Sequence, residues 1–441
     1  MKFNKNQTIN NVEAINLSYE GMGVVKIDDY PLFVENLLVG EIADIVIKKA
    51  NNKFAFAKVL KRHKISPQRI NVPNEQLMES GSTAIAMLSY EDQLKFKEEF
   101  VKYLFGRNIH FDNVLPILKS KNEWNYRNKI TVFVSESNGQ VIFGLYEKNT
   151  HNIIQQTNYD LAHKNINTMI KWLEKNINNF NEFIENIRYI DSFTFRYSES
   201  YDEFIVIINT NHFVKLSEDF LASFLAKFPN LVNIILNIKS KKKDRSISLL
   251  NNKTGIKDKI GNLVVNINWN SFFQINSSQT YNLYKLLIDN LNLNKEDVVI
   301  DAYSGVGTIA LTIAPLVKKV YGLEIIPEAV QNAEQNANIN NITNSVFYAG
   351  DVNKNIFKIN DANILIVDPP RSGMGTEFFN SVIKYKPEKI GYISCNVHTM
   401  CRDIDMLQRN GYKLEYLRPC DMFSQTHHIE CVGVLTKNRE N

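Results

Sequence analysis

A cysteine and an acidic residue are the side chains of this 441-residue chain whose types and positions best suit covalent chemistry. Cys395 directly follows a predicted strand from 390 to 394. Glu430 is a lone acid in the apolar run from 429 to 435. Burial at the start of such a run would raise the pKa of Glu430 toward that of a useful base. The same pattern also fits a merely buried thiol and an exposed strand-end acid.

A thiol and a base are the minimum that a protein needs to methylate carbon 5 of uracil. This carbon is too weakly nucleophilic to attack a methyl sulfonium directly. Attack of a thiolate on C6 makes C5 nucleophilic, and a base must then remove the C5 proton so that the thiol can leave. Formation of 5-methylcytosine follows the same logic, but those enzymes have a Pro-Cys pair at the nucleophile, and here Ser394 precedes Cys395.

A glycine-containing loop has the pattern of a cofactor site. The run Asp301-Ala302-Tyr303-Ser304-Gly305-Val306-Gly307 ends a predicted strand and opens a helical segment from 306 to 317. Its glycines allow a sharp turn and the approach of a ligand to a helix N-terminus. Glu324 ends the next strand, where a carboxylate can accept hydrogen bonds from ribose hydroxyls. The D-x-x-x-G-x-G spacing suits S-adenosylmethionine better than NAD, because Ala310 stands where NAD sites have a third glycine.

The run Asp368-Pro369-Pro370-Arg371 follows the fourth strand of the same region. The two prolines fix an extended turn that aims Asp368 into the cleft at the carboxyl end of the strand. The run resembles the D-P-P motif of base-modifying methyltransferases. Enzymes that methylate exocyclic amino groups usually continue this motif with an aromatic ring, so Arg371 argues against amino-group methylation.

Three regions must position these residues. Residues 1–64 are predicted to form an OB-like β-barrel, and residues 65–270 a middle α+β domain. From 271 to 441 apolar strands alternate with helices, as in an α/β, Rossmann-like class I methyltransferase domain. Its predicted strands are 298–302, 320–324, 345–348, 364–368, 390–394, 414–417 and 429–435. A helix from 397 to 410 is expected to stop at Gly411.

Composition excludes several classes of protein. Hydrophobic residues make up 44% and charged residues 22%, and no apolar run approaches the length of a membrane span. The polar N-terminus lacks a signal-peptide core, which predicts a cytoplasmic protein. All four cysteines lie between 395 and 431, so no disulfide framework is expected. His427, His428 and Cys431 are too few for a zinc site, and no obligate protein partner is indicated.

Two basic segments are candidates for contact with nucleic acid. The net charge of +4 is uninformative, but residues 48–64 hold seven Lys or Arg, no acid, and the interleaved Phe54 and Phe56. A basic run from Lys239 to Arg245 is expected at a hairpin tip. A solvated strand pair and an exposed basic loop remain the alternative interpretations.

Taken together, these motifs resemble the uracil-5 RNA methyltransferases, which act on tRNA or 23S ribosomal RNA. The segments from Ile393 to Ile404 and from Asp421 to Glu430 resemble the nucleophile and base motifs of that family. The resemblance implies that Cys395 is the nucleophile, that Glu430 removes the C5 proton, and that Asp368 contacts the target base or the cofactor. It further implies that S-adenosylmethionine is contacted by Gln274, Tyr303 and Glu324.

The N-terminal region resembles the RNA-binding TRAM domain of the same family. The tRNA-specific branch typically lacks this barrel, which favours 23S ribosomal RNA over tRNA as the substrate. The segment from Trp124 to Lys129 also resembles a middle-domain motif of the family. Many members bind a [4Fe-4S] cluster, but the corresponding stretch offers Asn74, Ser80 and Thr83, so no cluster is predicted. A non-catalytic RNA-binding or ribosome-assembly factor remains the alternative from a different class.

Overall fold

The computed structural model describes residues 3–241 and 244–438. Its N-terminal sheet has six strands in the order β1-β5-β6-β4-β3-β2. The strands are β1 (Thr8–Glu13), β2 (Asn16–Leu17), β3 (Gly23–Ile27), β4 (Tyr30–Glu35), β5 (Ile42–Ala50) and β6 (Ala55–Lys64). Side chains alternate between the two faces of a strand, so Leu32, Val34 and Ile45 share one buried core. This sheet occupies the predicted barrel region.

Two helices follow the N-terminal sheet: α1 (Glu75–Glu79) and α2 (Tyr90–Ile109). The side chain of Ser89 caps the first turn of α2 by accepting a 3.2 Å hydrogen bond from the amide of Asp92. The helix ends where His110 takes the left-handed conformation.

A second sheet of seven strands has the order β13-β12-β11-β10-β7-β8-β9. Its strands are β7 (Lys129–Ser137), β8 (Gln140–Tyr146), β9 (Ile153–Ile154), β10 (Ile190–Ser198), β11 (Glu203–Thr210), β12 (Leu231–Ile238) and β13 (Arg245–Ser248). Its helices are α3 (Lys164–Asn176), α4 (Asn181–Glu185) and α5 (Glu218–Lys227), with 3-10 turns at Ile177–Asn179 and Ile187–Tyr189. The mixture of helices and strands predicted for this region is confirmed.

The basic run from Lys239 to Arg245 joins two antiparallel strands, as expected for a hairpin tip. Strands β12 and β13 pair with Ile238 opposite Arg245. Lys242 and Lys243, the centre of the predicted basic loop, lie outside the described residues.

The hairpin of β14 (Gly255–Ile260) and β15 (Leu263–Asn268) precedes the C-terminal sheet. That sheet contains β16 (Val298–Ala302), β17 (Lys319–Glu324), β18 (Ser345–Ala349), β19 (Ile364–Val367), β20 (Lys389–Ser394), β21 (Tyr412–Cys420) and β22 (Glu430–Lys437). Its helices are α6 (Ser277–Leu291), α7 (Thr308–Ile313), α8 (Pro327–Ile339), α9 (Val352–Asn355), α10 (Thr376–Tyr385) and α11 (Val397–Gln408), with 3-10 turns at Ala314–Leu316 and Ile356–Lys358.

The C-terminal strands have the order β18-β17-β16-β19-β20-β22-β21. The first five are parallel, and β22 runs antiparallel to both of its neighbours. The predicted Rossmann-like architecture is therefore confirmed. The helix expected from 306 to 317 is shorter, because regular α-helix ends at Ile313 and a 3-10 turn containing Pro315 follows.

Two elements between residues 65 and 270 pack against the C-terminal unit. Helix α2 places Val101, Leu104 and Phe105 in the same core as residues of β21 and α11. The hairpin of β14 and β15 contacts α6 and α8. The domain divisions 1–64, 65–270 and 271–441 stay predictions, since packing in this region crosses the last of them.

No helix in the described ranges is both long enough and apolar enough to cross a bilayer.

Candidate active site

The register of the C-terminal sheet brings three predicted site residues to one edge. Strands β19 and β20 are adjacent and parallel, so Asp368 and Cys395, which follow them, stand at the same edge. Strand β22 begins at Glu430 and runs antiparallel to β20, with Cys431 opposite Ser394. The start of β22 at Glu430 therefore lies beside the end of β20, which Cys395 follows.

Cys395 is a half-buried thiol in an acidic setting. Burial raises its pKa to about 11, and the nearby Glu430 and Asp368 act in the same direction. Arg371 opposes them and lowers the pKa of the thiol through its charge and a hydrogen bond. The thiol is therefore protonated at neutral pH in this structure, and Arg371 is the neighbouring group that favours the reactive thiolate.

Glu430 and Asp368 are buried acids with raised pKa values. Burial holds the pKa of Glu430 well above its usual range, and Asp368 adds to the effect. The Oε2 atom of Glu430 is buried and makes no hydrogen bond to any described residue. Burial also raises the pKa of Asp368 to about 7. A carboxyl group with a free oxygen and a high pKa is suited to proton transfer.

Arg371 is a site residue whose role the sequence analysis missed. From the sequence, Arg371 indicated only that amino-group methylation is disfavoured. In the structure its carbonyl oxygen accepts hydrogen bonds from Asn396 Nδ2 at 2.9 Å and Thr399 Oγ1 at 3.2 Å. These bonds tie the Asp-Pro-Pro-Arg turn to the loop that carries Cys395. The signal was available, since Arg371 is the basic residue of a motif predicted to face the cleft.

The glycine loop after β16 adopts left-handed backbone at Tyr303 (φ 65°), Gly305 (φ 53°) and Gly307 (φ 82°). A side chain at Gly307 would place its Cβ 3.0 Å from the Cβ of Ala333, so the close packing of the loop on α8 requires glycine there. The loop therefore holds a fixed shape between β16 and α7.

Glu324 supports the glycine loop from the end of β17. Its Oε2 accepts a 3.0 Å hydrogen bond from the amide of Gly305, and its Oε1 accepts one of 2.9 Å from Ile326. Asp301, at the base of the loop, is fully buried and accepts a 3.0 Å hydrogen bond from the amide of Ala310. Burial raises the pKa of Asp301 to about 8, and its second oxygen has no partner among the described residues.

A cavity of about 420 Å³ opens beside the glycine loop. Its walls include Tyr303, Ile325, Asp351, Met374 and Phe378. The Tyr303 hydroxyl donates a 3.2 Å hydrogen bond to the Met374 carbonyl, and its ring meets that of Phe378 edge-on. Sequence reasoning did not select Asp351, although it follows β18 closely at the ligand-binding edge of the sheet.

Gln274 is buried but is not among the described residues that line this cavity. Its carbonyl accepts a 2.9 Å hydrogen bond from Asn128 Nδ2, which also donates to Ser277 Oγ at 2.7 Å. Asn128 belongs to the middle-domain motif from Trp124 to Lys129. The motif thus holds the segment that carries Gln274, and the cofactor role of Gln274 stays a prediction.

Two of the residues at the family's iron–sulfur position, Asn74 and Ser80, form ordinary structural contacts. Asn74 caps α1 and donates a 2.8 Å hydrogen bond to the carbonyl of Asn158, and Ser80 donates one of 2.7 Å to Leu77. Amide and hydroxyl groups are poor ligands for iron–sulfur clusters, so this donor set does not fit one. In the described ranges, no three His, Cys, Asp or Glu side chains are grouped to hold a metal ion.

Comparisons with known proteins agree with this geometry. Residues 89–349 and 351–439 match the family model for tRNA (uracil-5-)-methyltransferase, and residues 10–60 match that for the TRAM domain. An uncharacterized RNA methyltransferase of Lactiplantibacillus plantarum is 35% identical over 97% of this chain and 97% of that protein. Another, of Lactobacillus johnsonii, is 36% identical over 99% of this chain and 100% of that protein.

The fold also matches a solved structure, that of Pyrococcus abyssi tRNA (uracil-54, C5)-methyltransferase in complex with S-adenosyl-L-homocysteine. The TM-score is 0.74 at 22% identity, over 96% of this chain and 99% of that chain. The sheet order and this match thus define the fold as that of the Rossmann-like class I methyltransferases. The chain belongs to the tRNA (uracil-5-)-methyltransferase family and carries an N-terminal TRAM domain.

Proposed function

We propose that the protein transfers a methyl group from S-adenosylmethionine to C5 of a uridine in RNA, with Cys395 as nucleophile and Glu430 as base. The observation that carries this proposal is the register of β20 with β22, which sets Glu430 beside the loop of Cys395. Asp368 and Arg371 complete the edge, and both influence the thiol.

The proposed reaction begins when Cys395 gives its proton to solvent and Arg371 stabilises the thiolate. The sulfur bonds to C6 of the uracil, and the C5–C6 π electrons move into an enolate ending at O4. The enolate electrons return through C5, which bonds to the methyl group as the bond from that group to the donor sulfur breaks and leaves its electrons on the sulfur. The Glu430 carboxylate then removes the C5 proton, the C5–C6 double bond re-forms, and the electrons of the S–C6 bond return to Cys395. The raised pKa favours the protonated form of Glu430, and it makes the carboxylate, once ionised, a stronger base for this step.

The residues around the glycine loop fit S-adenosylmethionine, which when bound supplies a methyl group on a positively charged sulfur. The cavity beside Tyr303 has apolar walls at Ile325 and Phe378 for an adenine ring. Asp351 adds a carboxylate that can accept a hydrogen bond from an adenine amino group. Each oxygen of Glu324 accepts one backbone hydrogen bond and keeps a lone pair for a ribose hydroxyl. Gln274 and Asp368 are proposed as further contacts.

We assign RNA binding to the N-terminal sheet because it carries an aromatic and basic surface. The rings of Phe33, Phe54 and Phe56 lie 5.4 to 5.8 Å apart, and all three are half-buried. Lys49 pairs with Phe56 in the sheet register. Aromatic rings beside lysines can stack bases and contact phosphates. In this division of labour residues 1–64 bind RNA, 65–270 add RNA contacts, and 271–441 carry the chemistry.

The proposed substrate is 23S ribosomal RNA, and tRNA is the second candidate. The N-terminal TRAM domain favours ribosomal RNA through the family resemblance. The match to the archaeal tRNA methyltransferase covers 96% of this chain and therefore includes most of that domain. The domain alone therefore does not distinguish the two substrates, and the match itself favours tRNA.

The test is to incubate the purified protein with methyl-labelled S-adenosylmethionine and unmodified 23S rRNA or tRNA transcripts, and then to identify the labelled nucleoside. Label as 5-methyluridine in rRNA alone supports the first candidate, and label in tRNA alone supports the second. The Cys395→Ala variant is the control and should give no label. RNA binding without label in either transcript would contradict the proposal and favour an assembly factor.

A further inference from the structure

Tyr19 lies in a tight turn of the N-terminal sheet, between β2 and β3. The amide of Ser18 donates a 2.8 Å hydrogen bond to the Met22 carbonyl, and the amide of Gly21 donates one of 2.9 Å to Ser18. Gly21 has a φ of 76°, and a Cβ at this position would lie 2.3 Å from Ile85 Cγ2. The turn therefore packs tightly against the segment that leads to α2, and this packing fixes the position of Tyr19.

The Tyr19 ring contacts the segments that carry both proposed catalytic residues. It meets the ring of His398 edge-on at 5.0 Å and that of His427 edge-on at 5.4 Å. His398 lies three residues after Cys395, and His427 three residues before Glu430. Phe100 of α2 supports the ring from another side at 4.7 Å. A residue from the start of the chain thus reaches the C-terminal active site.

Tyr19 and its neighbour His427 are both uncharged, and each has a free polar atom. Burial raises the pKa of Tyr19 to about 12, with contributions from Cys431, Cys395 and Glu430, so the phenol is neutral. Burial also lowers the pKa of His427 to about 4, so its imidazole is neutral at physiological pH. In the described part of the chain, the Tyr19 hydroxyl accepts and donates no hydrogen bond, and the buried His427 Nδ1 has no partner.

We infer that Tyr19 forms one wall of the pocket that receives the target uracil, so the N-terminal sheet completes the active site. The inference rests on the proposed function. A neutral aromatic ring provides a surface for a planar, uncharged base. The free hydroxyl and the free His427 nitrogen offer hydrogen bonds to the alternating O2, N3–H and O4 of uracil. The N-terminal sheet thereby contacts the reacting base itself through Tyr19, in addition to binding the rest of the RNA.

The test uses the full chain and 23S rRNA or tRNA transcripts in which 5-fluorouridine replaces uridine. S-adenosylmethionine is included, because addition of Cys395 to C6 is reversible until C5 has been methylated. Fluorine at C5 cannot then be removed as a proton, so the methylated protein–RNA adduct is stable. Tyr19→Ala should slow adduct formation about tenfold or more at saturating RNA, the range of a lost base–aromatic stack. Tyr19→Phe, which keeps the ring, should stay within about threefold of the unmodified protein. The matched control is Tyr103→Ala, an exposed tyrosine on α2.

Tyr19→Ala with an unchanged rate at saturating RNA would overturn the inference. A lowered melting temperature of this variant would point to a structural role, and photocrosslinking then decides. In the Cys395→Ala background, 4-thiouridine transcripts should crosslink to the peptide containing Tyr19, and crosslinks confined to other peptides would overturn the inference. Failure of the proposed function is recognised separately, because the unmodified protein would then form neither 5-methyluridine nor an adduct.

Discussion

Lys97 and Asp421 form a buried ion pair, with 2.6 Å between Nζ and Oδ1, across 324 residues of sequence. Lys97 lies on α2, and Asp421 follows β21. Lys97 also donates a 3.0 Å hydrogen bond to the Phe423 carbonyl, and the Tyr90 hydroxyl donates one of 2.8 Å to the other Asp421 oxygen. The pair thus fixes the loop that leads to Glu430.

Replacing Lys97 with methionine should destabilise the protein by about 3 to 5 kcal/mol, because the Asp421 carboxylate would stay buried without its cation. Urea denaturation measures the free energy of unfolding. Lys95→Met is the matched control, because Lys95 is exposed and pairs with Glu99 at 3.9 Å on the same helix. Equal losses in the two variants would show that the buried pair does not stabilise the fold.

Replacing Glu430 with glutamine should trap the RNA on the protein. The methylated adduct forms through Cys395, but its C5 proton has no base to accept it, so the thiol cannot leave. Denaturing gel electrophoresis should show a band of protein linked to labelled RNA. The double variant with Cys395→Ala should lose this band. Only free RNA in the single variant would contradict the assigned roles.

Replacing Glu324 with glutamine should weaken S-adenosylhomocysteine binding about tenfold, because a charge-assisted hydrogen bond to ribose is lost. The amide oxygen can still accept one of the two loop hydrogen bonds, so the fold should persist. Titration calorimetry gives the dissociation constant. Glu328→Gln on the exposed side of α8 is the control. Unchanged affinity for Glu324→Gln would remove this residue from the cofactor site.

The stability of the ligand-free protein should fall as the pH rises from about 4 to about 8, through the raised pKa of Asp301. Its pKa is about 8 in the fold, against about 4 in an unfolded chain, so the folded state binds the proton more tightly between these values. Asp301→Asn should flatten this slope and raise the melting temperature at pH 8 relative to the unmodified protein. If the melting temperatures of the two proteins change with pH in the same way from pH 5 to 8, the assignment is contradicted.

Local pattern predicted the C-terminal sheet well because its parallel strands are buried on both faces and appear as apolar runs. The predicted strand from 298 to 302 agrees with the structure, and the strand at Glu324 begins one residue earlier, at Lys319. The grouping of residues at the strand ends was equally predictable, because adjacent parallel strands place Asp368 and Cys395 at one edge of the sheet. Their roles still await the experiments above.

Other features depended on contacts between distant parts of the chain. Nothing in the local sequence of α2 indicates which elements cover its buried residues, such as Val101 and Phe105. Tyr19 belongs to a motif that suggested only an RNA-binding barrel, and no local signal places its ring beside His398. Arg371 is part of a recognised motif and Asp351 closely follows a predicted strand, but their roles were missed because their neighbours in space come from other strands.

The packing of α2 also constrains the order in which a newly made chain can fold. A ribosome releases residues 90–109 long before it has synthesised α11 and β21, against which α2 packs in the core that contains Val101 and Phe105. Throughout that interval the apolar face of the helix has no final partner and must be protected from aggregation. The proposed catalytic centre consequently forms only at the end of translation, when the last elements of the chain pack together with a helix made near its beginning.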